Sequence, residues 1–338
     1  MKLLNNISLK PFNTFGIDVL AKSFTEINSA NDFKSLIQEN EYKQNKILIL
    51  GGGSNILFTK NFDGLVIKNN LKGIEVVRED ADFVFVKAAG GENWHHFVMW
   101  CVEKNYGGLE NLSLIPGCVG AAPMQNIGAY GVEIKDVCEQ VFALDMQTGK
   151  ETAFSNADCK FGYRESIFKH EAKNKFLITA VIFKLRKKPV FNTTYGAIEQ
   201  ELASMGVKEL SIKAISDAVI KIRSSKLPDP AKIGNAGSFF KNPEISKAKH
   251  DELKQKFEKL VSYPLENGNF KLAAGWLIEA CGLKGKREGQ TGVHVNQALV
   301  LVNYGGVNGS EVYNLSQEVL DAVKEKFGVT LEREVNIY

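Results

Sequence analysis

At 338 residues the chain has room for two or three domains, and 44% hydrophobic with 24% charged residues is the balance of an ordinary globular protein with a full core. The 42 basic and 39 acidic residues leave a net charge of +3, which does not argue for nucleic acid as the main partner and makes any phosphate recognition local. Five cysteines without a Cys-x-x-Cys pair argue against a disulfide framework and a zinc site. The five histidines lack the spacing of helical metal ligands, so His95 and His96 read as incidental neighbours. With no apolar leader and no run of about eighteen apolar residues, the expectation is a cytoplasmic protein that does not engage a membrane.

In chain order, Ser29 caps a first helix with Ala30, Phe33, Leu36 and Ile37 at helical spacing. A strand at 46–50 runs directly into Gly51, Gly52, Gly53, Ser54 and Asn55, and a second strand follows at 64–68. Consecutive glycines after a strand let several amides converge on a phosphate; they also describe a plain turn between strands. Neither a Walker lysine nor a Gly-x-Gly-x-x-Gly helix opening accompanies them, which removes the NTPase and Rossmann readings. Residues 74–77 and 83–88 alternate about a polar turn as a hairpin. Asn93 then caps a helix whose apolar face is Trp94, Phe97, Val98, Cys101 and Val102.

Residues 115–131 organise the chain. Gly117, Gly120, Gly128 and Gly131 with Pro116 and Pro123 forbid a long helix, and Ile115, Val119, Ala121, Ala122, Met124, Ile127 and Ala129 fill the gaps without one charged residue. Such a run predicts backbone held inside the protein, able to approach a flat or phosphorylated ligand; a buried connection without a ligand has the same composition. Strands at 137–146 and 177–185 follow, linked by short turns, and indicate an α+β architecture. A helix at 211–223 is stopped by Leu-Pro-Asp-Pro at 227–230, which suggests a domain boundary. At 234–243 small residues lead to Ser238, flanked by Phe239 and Phe240, a serine presented from a tight turn but with no neighbouring base for a hydrolase. A helix at 271–281, a strand at 298–302 and a last helix capped by Ser310 complete the domain. Residues 331–338 alternate like a strand, with Glu332 and Glu334 on the face opposite Leu331, Val335 and Ile337.

Together these runs resemble the UDP-N-acetylenolpyruvoylglucosamine reductases, the flavoenzymes that make UDP-N-acetylmuramate for peptidoglycan. The likeness spans Asn-Thr-Phe-Gly-Ile from 13, Gly-Gly-Gly-Ser-Asn from 51, Gly-Glu-Asn-Trp from 91, the 115–131 run, Tyr-Arg-Glu-Ser from 163, Leu-Pro-Asp-Pro from 227, Gly-Ser-Phe-Phe-Lys-Asn-Pro from 237, Ala-Ala-Gly-Trp-Leu-Ile from 273 and Glu334. The insertion around Tyr195 looks like the family's first type, with a loop that folds over the substrate. The chain stops a few residues after Glu334, where some relatives continue.

The resemblance implies an α+β fold: a two-part FAD-binding module of the vanillyl-alcohol-oxidase (PCMH) type plus a smaller α+β substrate domain. The expected division is 1–72 and 73–210 for the two FAD-binding parts, with 329–338 returning to the second, and 211–328 for the UDP-sugar. FAD, held noncovalently, would meet Gly51, Gly52, Gly53, Ser54, Asn55, Pro116, Gly117, Gly120, Ala121, Gln125, Asn126, Gly128, Ala129 and Gly131, with NADPH as hydride donor. The family's catalytic residues fall on Arg164, Ser238 and Glu334, and its substrate contacts on Tyr163, Tyr195, Lys226 and Asn242. A monomer acting on small molecules is implied. The residue types suit the reaction: a guanidinium fork for a carboxylate, a small hydroxyl to protonate an α-carbon, and a carboxylic acid that burial could keep protonated to hydrogen-bond an enol. An oxidase of the same fold and a UDP-sugar-binding protein without turnover are the competing readings.

Overall fold

The computed structural model describes residues 2–194 and 196–338; Tyr195 lies outside them. The chain forms two compact units, the first comprising 1–7, 21–52 and 63–225, the second 8–20, 53–62 and 226–338.

The first unit carries two sheets. In one the order is Leu4–Ser8, Leu20–Ile27, Phe62–Asn69, Ile47–Leu50, the last two parallel. Its covering helix, Ala30–Leu36, starts at a capping box in which Ser29 and Asp32 satisfy each other's backbone amides, and it buries Phe33 and Leu36 against Ile27, Leu65 and Ile67. The other sheet is fully antiparallel: Glu151–Ser155, Cys138–Asp145, Phe176–Arg186, Phe83–Ala89, Ile74–Glu79. Helix Trp94–Glu103 packs Trp94, Phe97, Val98 and Cys101 into the core above it, with Asn93 accepting from the His96 amide as the sequence predicts.

Helix Ile212–Lys226 goes with the first unit, as the Leu-Pro-Asp-Pro stop suggests and against a substrate domain that begins at 211. Its Ile212 belongs to the core of the first unit, and Ser216 shares a buried hydrogen bond of 2.8 Å with Ser113. Its remaining apolar face, Ile215, Val219 and Ile222, packs with Ile198 and Leu202 of helix Gly196–Ser204. The Leu-Pro-Asp-Pro stop, rather than the helix start, is where the second unit resumes.

In the second unit the strands Gly234–Ser238, Val300–Asn303, Thr291–Val293 and Arg287–Glu288 form an antiparallel sheet. Helix Gly309–Phe327 packs on it through Val312, Leu315, Val319 and Val323, all fully or almost fully buried, each contributing roughly 1.5–3 kcal/mol. The cap of this helix is Asn308, in a capping box with Glu311, not Ser310, whose hydroxyl donates to the Thr59 carbonyl at 3.1 Å. The expected helix at 271–281 is instead a strand, Phe270–Leu272, followed by helix Ala274–Ala280. A second correction concerns the C-terminus. Asn336–Ile337 pairs in parallel with Ile56–Leu57, within the second unit and not with 73–210.

The Asn-Thr-Phe-Gly segment is a clamp on this sheet. Asn13 is buried, donating to the carbonyls of Leu9 and Ile17 and accepting from the Ile17 amide. Thr14 and Phe15 then exchange hydrogen bonds with Asn235 and Asn303.

Candidate active site

In the first unit residues 115–131 fold as two short 3-10 turns, Val119–Ala121 and Pro123–Gln125, and a minimal hairpin, Gly128–Ala129 with Val132–Glu133. The first turn packs on strand Phe176–Arg186 through buried Val119 and Ala122, and the second against the 3-10 turn Ile167–Lys169. The run is not wholly internal as composition suggests: Cys118, Val119, Ala122, Pro123 and Asn126 are buried, while Pro116, Ala121, Met124 and Gly131 are exposed. One side of the run therefore grips the sheet and the other stays open.

Its irregular backbone is held by specific bonds. Val119 and Gly120 donate to the carbonyls of Glu92 and Gly90, and Trp94 donates to Gly117. Asn126, at φ 46°, accepts from Lys135 and donates to Glu133 and the Gly162 carbonyl, which stabilises a left-handed conformation that a non-glycine residue seldom adopts. His95 accepts the Leu114 amide at 3.0 Å on Nδ1, and burial pulls its pKa down, so the neutral ring is the form that serves the loop.

The glycines bring two runs of backbone together. A Cβ on Gly52 would lie 2.8 Å from the Gly117 Cα, and one on Gly120 would lie 2.9 Å from the Gly90 carbonyl oxygen. Among the described residues the amides of Gly51, Gly52 and Gly117 donate to no protein acceptor, although all three residues are only half-buried. Lys68 donates to the Gly51 carbonyl, adding a cation beside them. Backbone amides of this kind with an ammonium nearby are the chemistry that suits the diphosphate of a dinucleotide such as FAD.

Arg164 stands against the same run. Its guanidinium donates to the Gly128 carbonyl at 2.8 Å and lies 5.3 Å from the Tyr163 ring centroid, and its backbone is left-handed at φ 56°. Lys169 donates to the Arg164 carbonyl at 3.0 Å, one of the bonds that maintains this costly conformation. A further cation, Arg223, escapes sequence reading. It is half-buried, donates to the Leu114 carbonyl at 3.3 Å and hydrogen-bonds the Tyr130 hydroxyl; burial lowers its pKa and the Tyr130 bond opposes that shift. A helical position beside a predicted apolar face gave no signal for it. Lys226 is exposed at the end of the same helix.

In the second unit strand Gly234–Ser238 breaks register between Asn235 and Ser238, where Gly237 takes φ 69° and its amide is caught by Asn235 Oδ1 at 2.9 Å. The bulge turns Ser238 outward while Phe239 and Phe240 are buried. The chain next pairs with the C-terminal segment: Lys241 donates to the Glu332 carbonyl, Glu334 donates to that of Phe239, and Phe240 bridges Arg333. Asn55 donates to the Glu334 carbonyl at 3.3 Å and accepts from Asn336, so the last residue of the glycine run secures Glu334. Gly53 serves the fold here, since its Cβ would collide with the Phe12 carbonyl oxygen at 2.0 Å. Ser54 is half-buried beside it. Glu334 keeps the face that alternation predicts, opposite buried Leu331 and Val335, but is half-buried where Glu332 is exposed. Asn242 accepts the Ala274 amide at 2.9 Å, leaving its own amide group to donate elsewhere.

Arg164 thus lies in the first unit, while Ser238, Glu334 and Asn242 lie in the second, with Ser238 one residue before Phe239, whose carbonyl accepts the Glu334 amide.

Comparison with known proteins accounts for both units. Residues 21–155 match the family model described as FAD binding domain, and 229–338 match that described as UDP-N-acetylenolpyruvoylglucosamine reductase, C-terminal domain. The UDP-N-acetylenolpyruvoylglucosamine reductase of Flavobacterium johnsoniae is 52% identical over 338 residues, covering all of both chains. That of Chromobacterium violaceum is 51% identical over 330 residues, 97% of each chain. The crystal structure of the Thermus caldophilus reductase superposes with a TM-score of 0.70 over 100% of this chain and 98% of that one, at 22% identity, which shows a shared fold. The chain belongs to the UDP-N-acetylenolpyruvoylglucosamine reductase family.

Proposed function

We propose that the open amides of the first unit hold the cofactor, that Arg164, Ser238 and Glu334 act on the substrate, and that Tyr163, Tyr195, Lys226 and Asn242 bind it. The activity is that of the family: NADPH-dependent reduction of UDP-N-acetylglucosamine enolpyruvate to UDP-N-acetylmuramate in peptidoglycan precursor synthesis. FAD, when bound, would supply the hydride chemistry that links NADPH to the enolpyruvyl double bond. Gly51, Gly52 and Gly117 would hold its diphosphate by their amides, and the uncharged 115–131 run would take its flat ring.

The remaining work falls to side chains of this protein. The Arg164 fork pairs with the substrate carboxylate and stabilises the negative charge that accumulates there as hydride arrives. Glu334 faces the developing enol and holds a hydrogen bond to it. Ser238 delivers the proton to the α-carbon, completing the lactyl ether. Lys226 offers a mobile point charge to the sugar nucleotide's diphosphate. On this reading the first unit carries FAD, the second the UDP-sugar, and the enzyme works as a cytoplasmic monomer.

The exposed Ser238 hydroxyl, set out by a bulge just before buried Phe239 and Phe240, carries the assignment of the chemistry. The test is anaerobic spectroscopy of the purified protein. A flavin spectrum should bleach with NADPH and return with the enolpyruvyl sugar nucleotide; a colourless protein that FAD cannot reconstitute, or reduced flavin that prefers oxygen to that substrate, would overturn the reading.

A further inference from the structure

Among the described residues Lys241 is the one buried lysine. Its ammonium meets Glu332 Oε1 at 2.6 Å, yet only 9% of the Lys241 side chain is accessible against 70% of Glu332. Burying a lysine stem and most of its charge is costly, and a largely solvated carboxylate offsets little of that cost. A surface ion pair alone therefore does not explain the position.

The ladder does. Hydrogen bonds from Lys241 to Glu332 and from Glu334 to Phe239 enclose the Phe240 to Arg333 bridge, which fixes the opposed pairs as 241 with 332 and 239 with 334. In a pleated pair, directly opposed residues and residues two apart share one face. Lys241, Glu332, Phe239 and Glu334 are on that face, with Lys241 and Glu334 as diagonal neighbours, a separation that long side chains span. Arg333 is on the other face, where its guanidinium binds Ser316 and Gln317 and stacks over Tyr313. The segment Asn55 to Leu57, packed alongside, brings no charged group.

We infer that Lys241 is a positioning residue for the reaction: its buried ammonium, anchored by Glu332, holds the Glu334 carboxyl in its working orientation. The inference rests on the assignment of Glu334 to the reaction. On this inference Lys241 acts through Glu334 and not on the substrate.

The test is stopped-flow kinetics of FAD-loaded enzyme, measuring flavin reduction by NADPH and reoxidation by the enolpyruvyl sugar nucleotide separately. Lys241→Met should slow reoxidation about tenfold or more while leaving the flavin spectrum and reduction rate unchanged, and Lys241→Arg should restore much of the loss. In a Glu334→Gln background, Lys241→Met should add almost nothing, because the group it positions is gone. Equal, additive losses in both backgrounds, or no rescue by arginine, would reduce Lys241 to a structural residue. Should Lys241→Met fail to load FAD, Glu332→Gln on the exposed side reports instead: it should slow reoxidation severalfold, and again only when Glu334 is present. If Glu334→Gln alone reoxidises normally, the site assignment falls; if it is impaired while the Lys241 variants are not, only the present inference does.

Discussion

The 115–131 run and the corner formed by 238–241 with 332–334 handle polarity in opposite ways. The first has no charged side chain and offers main-chain amides on an irregular backbone gripped by neighbouring carbonyls. The second offers side chains, a hydroxyl and a carboxyl, on two short extended segments whose pairing sets their direction. Amides that are fixed by the fold suit a bound group that does not change, whereas side chains suit groups that must give up or orient a proton. Damage to the two regions should therefore separate into loss of cofactor and loss of turnover.

The largest effect should come from Ser238→Ala. Reoxidation by the enolpyruvyl substrate should fall about 10²–10⁴-fold, the usual contribution of a general acid, with FAD content and NADPH reduction kept; parallel loss of both half-reactions would place Ser238 in the structure alone. Arg164→Lys keeps the charge but loses the fork, and should cost about 10–100-fold in kcat/KM. Because the guanidinium also donates to the Gly128 carbonyl, some FAD should be lost too, which makes this variant the one expected to blur the division.

On the other side, Gly52→Ala places a Cβ against the Gly117 backbone and should cost about 1–3 kcal/mol, seen as weaker FAD retention on gel filtration with the rates of the loaded fraction unchanged. Asn308→Ala removes the cap of helix Gly309–Phe327, far in sequence from either region, and should lower stability by about 1 kcal/mol without altering either half-reaction.

The smallest effect concerns pH. Burial holds the His95 pKa below its ordinary value, so the unfolded chain binds the proton more readily; the stabilisation is full above the unfolded value and is lost as pH falls from there through the lower folded-state value. Thermal melts between pH 7.5 and 5 (roughly one unit above and 1.5 below the unperturbed histidine value) should decline, with His95→Gln reducing the slope. Some slope should remain, because His294 is shifted in the same direction by burial.

Much of the fold was legible. Ser29 and Asn93 cap where local chemistry says they should, and the strands at 46–50, 74–88 and 177–185 appear within a few residues. The cap of the last helix was also legible but misread: Asn308 stands three residues before Glu311, as a capping box requires, and Ser310 does not. The 271–281 segment was not, since a remote residue, Asn242, accepts the first helical amide and sets the helix start at Ala274.

The sequence alone determined the chemical inventory: an uncharged glycine-rich run, one serine set between small residues and two phenylalanines, an arginine and a late glutamate, in an order that identifies the family. Those are properties of composition and spacing, which local backbone physics can read. Tertiary structure alone decided that helix Ile212–Lys226 joins the first core, that Asn55 secures the Glu334 backbone, and that buried Lys241 shares a face with Glu334. Each depends on pairing between segments far apart in the chain, where register, and not the residues on either strand, determines which side chains are neighbours.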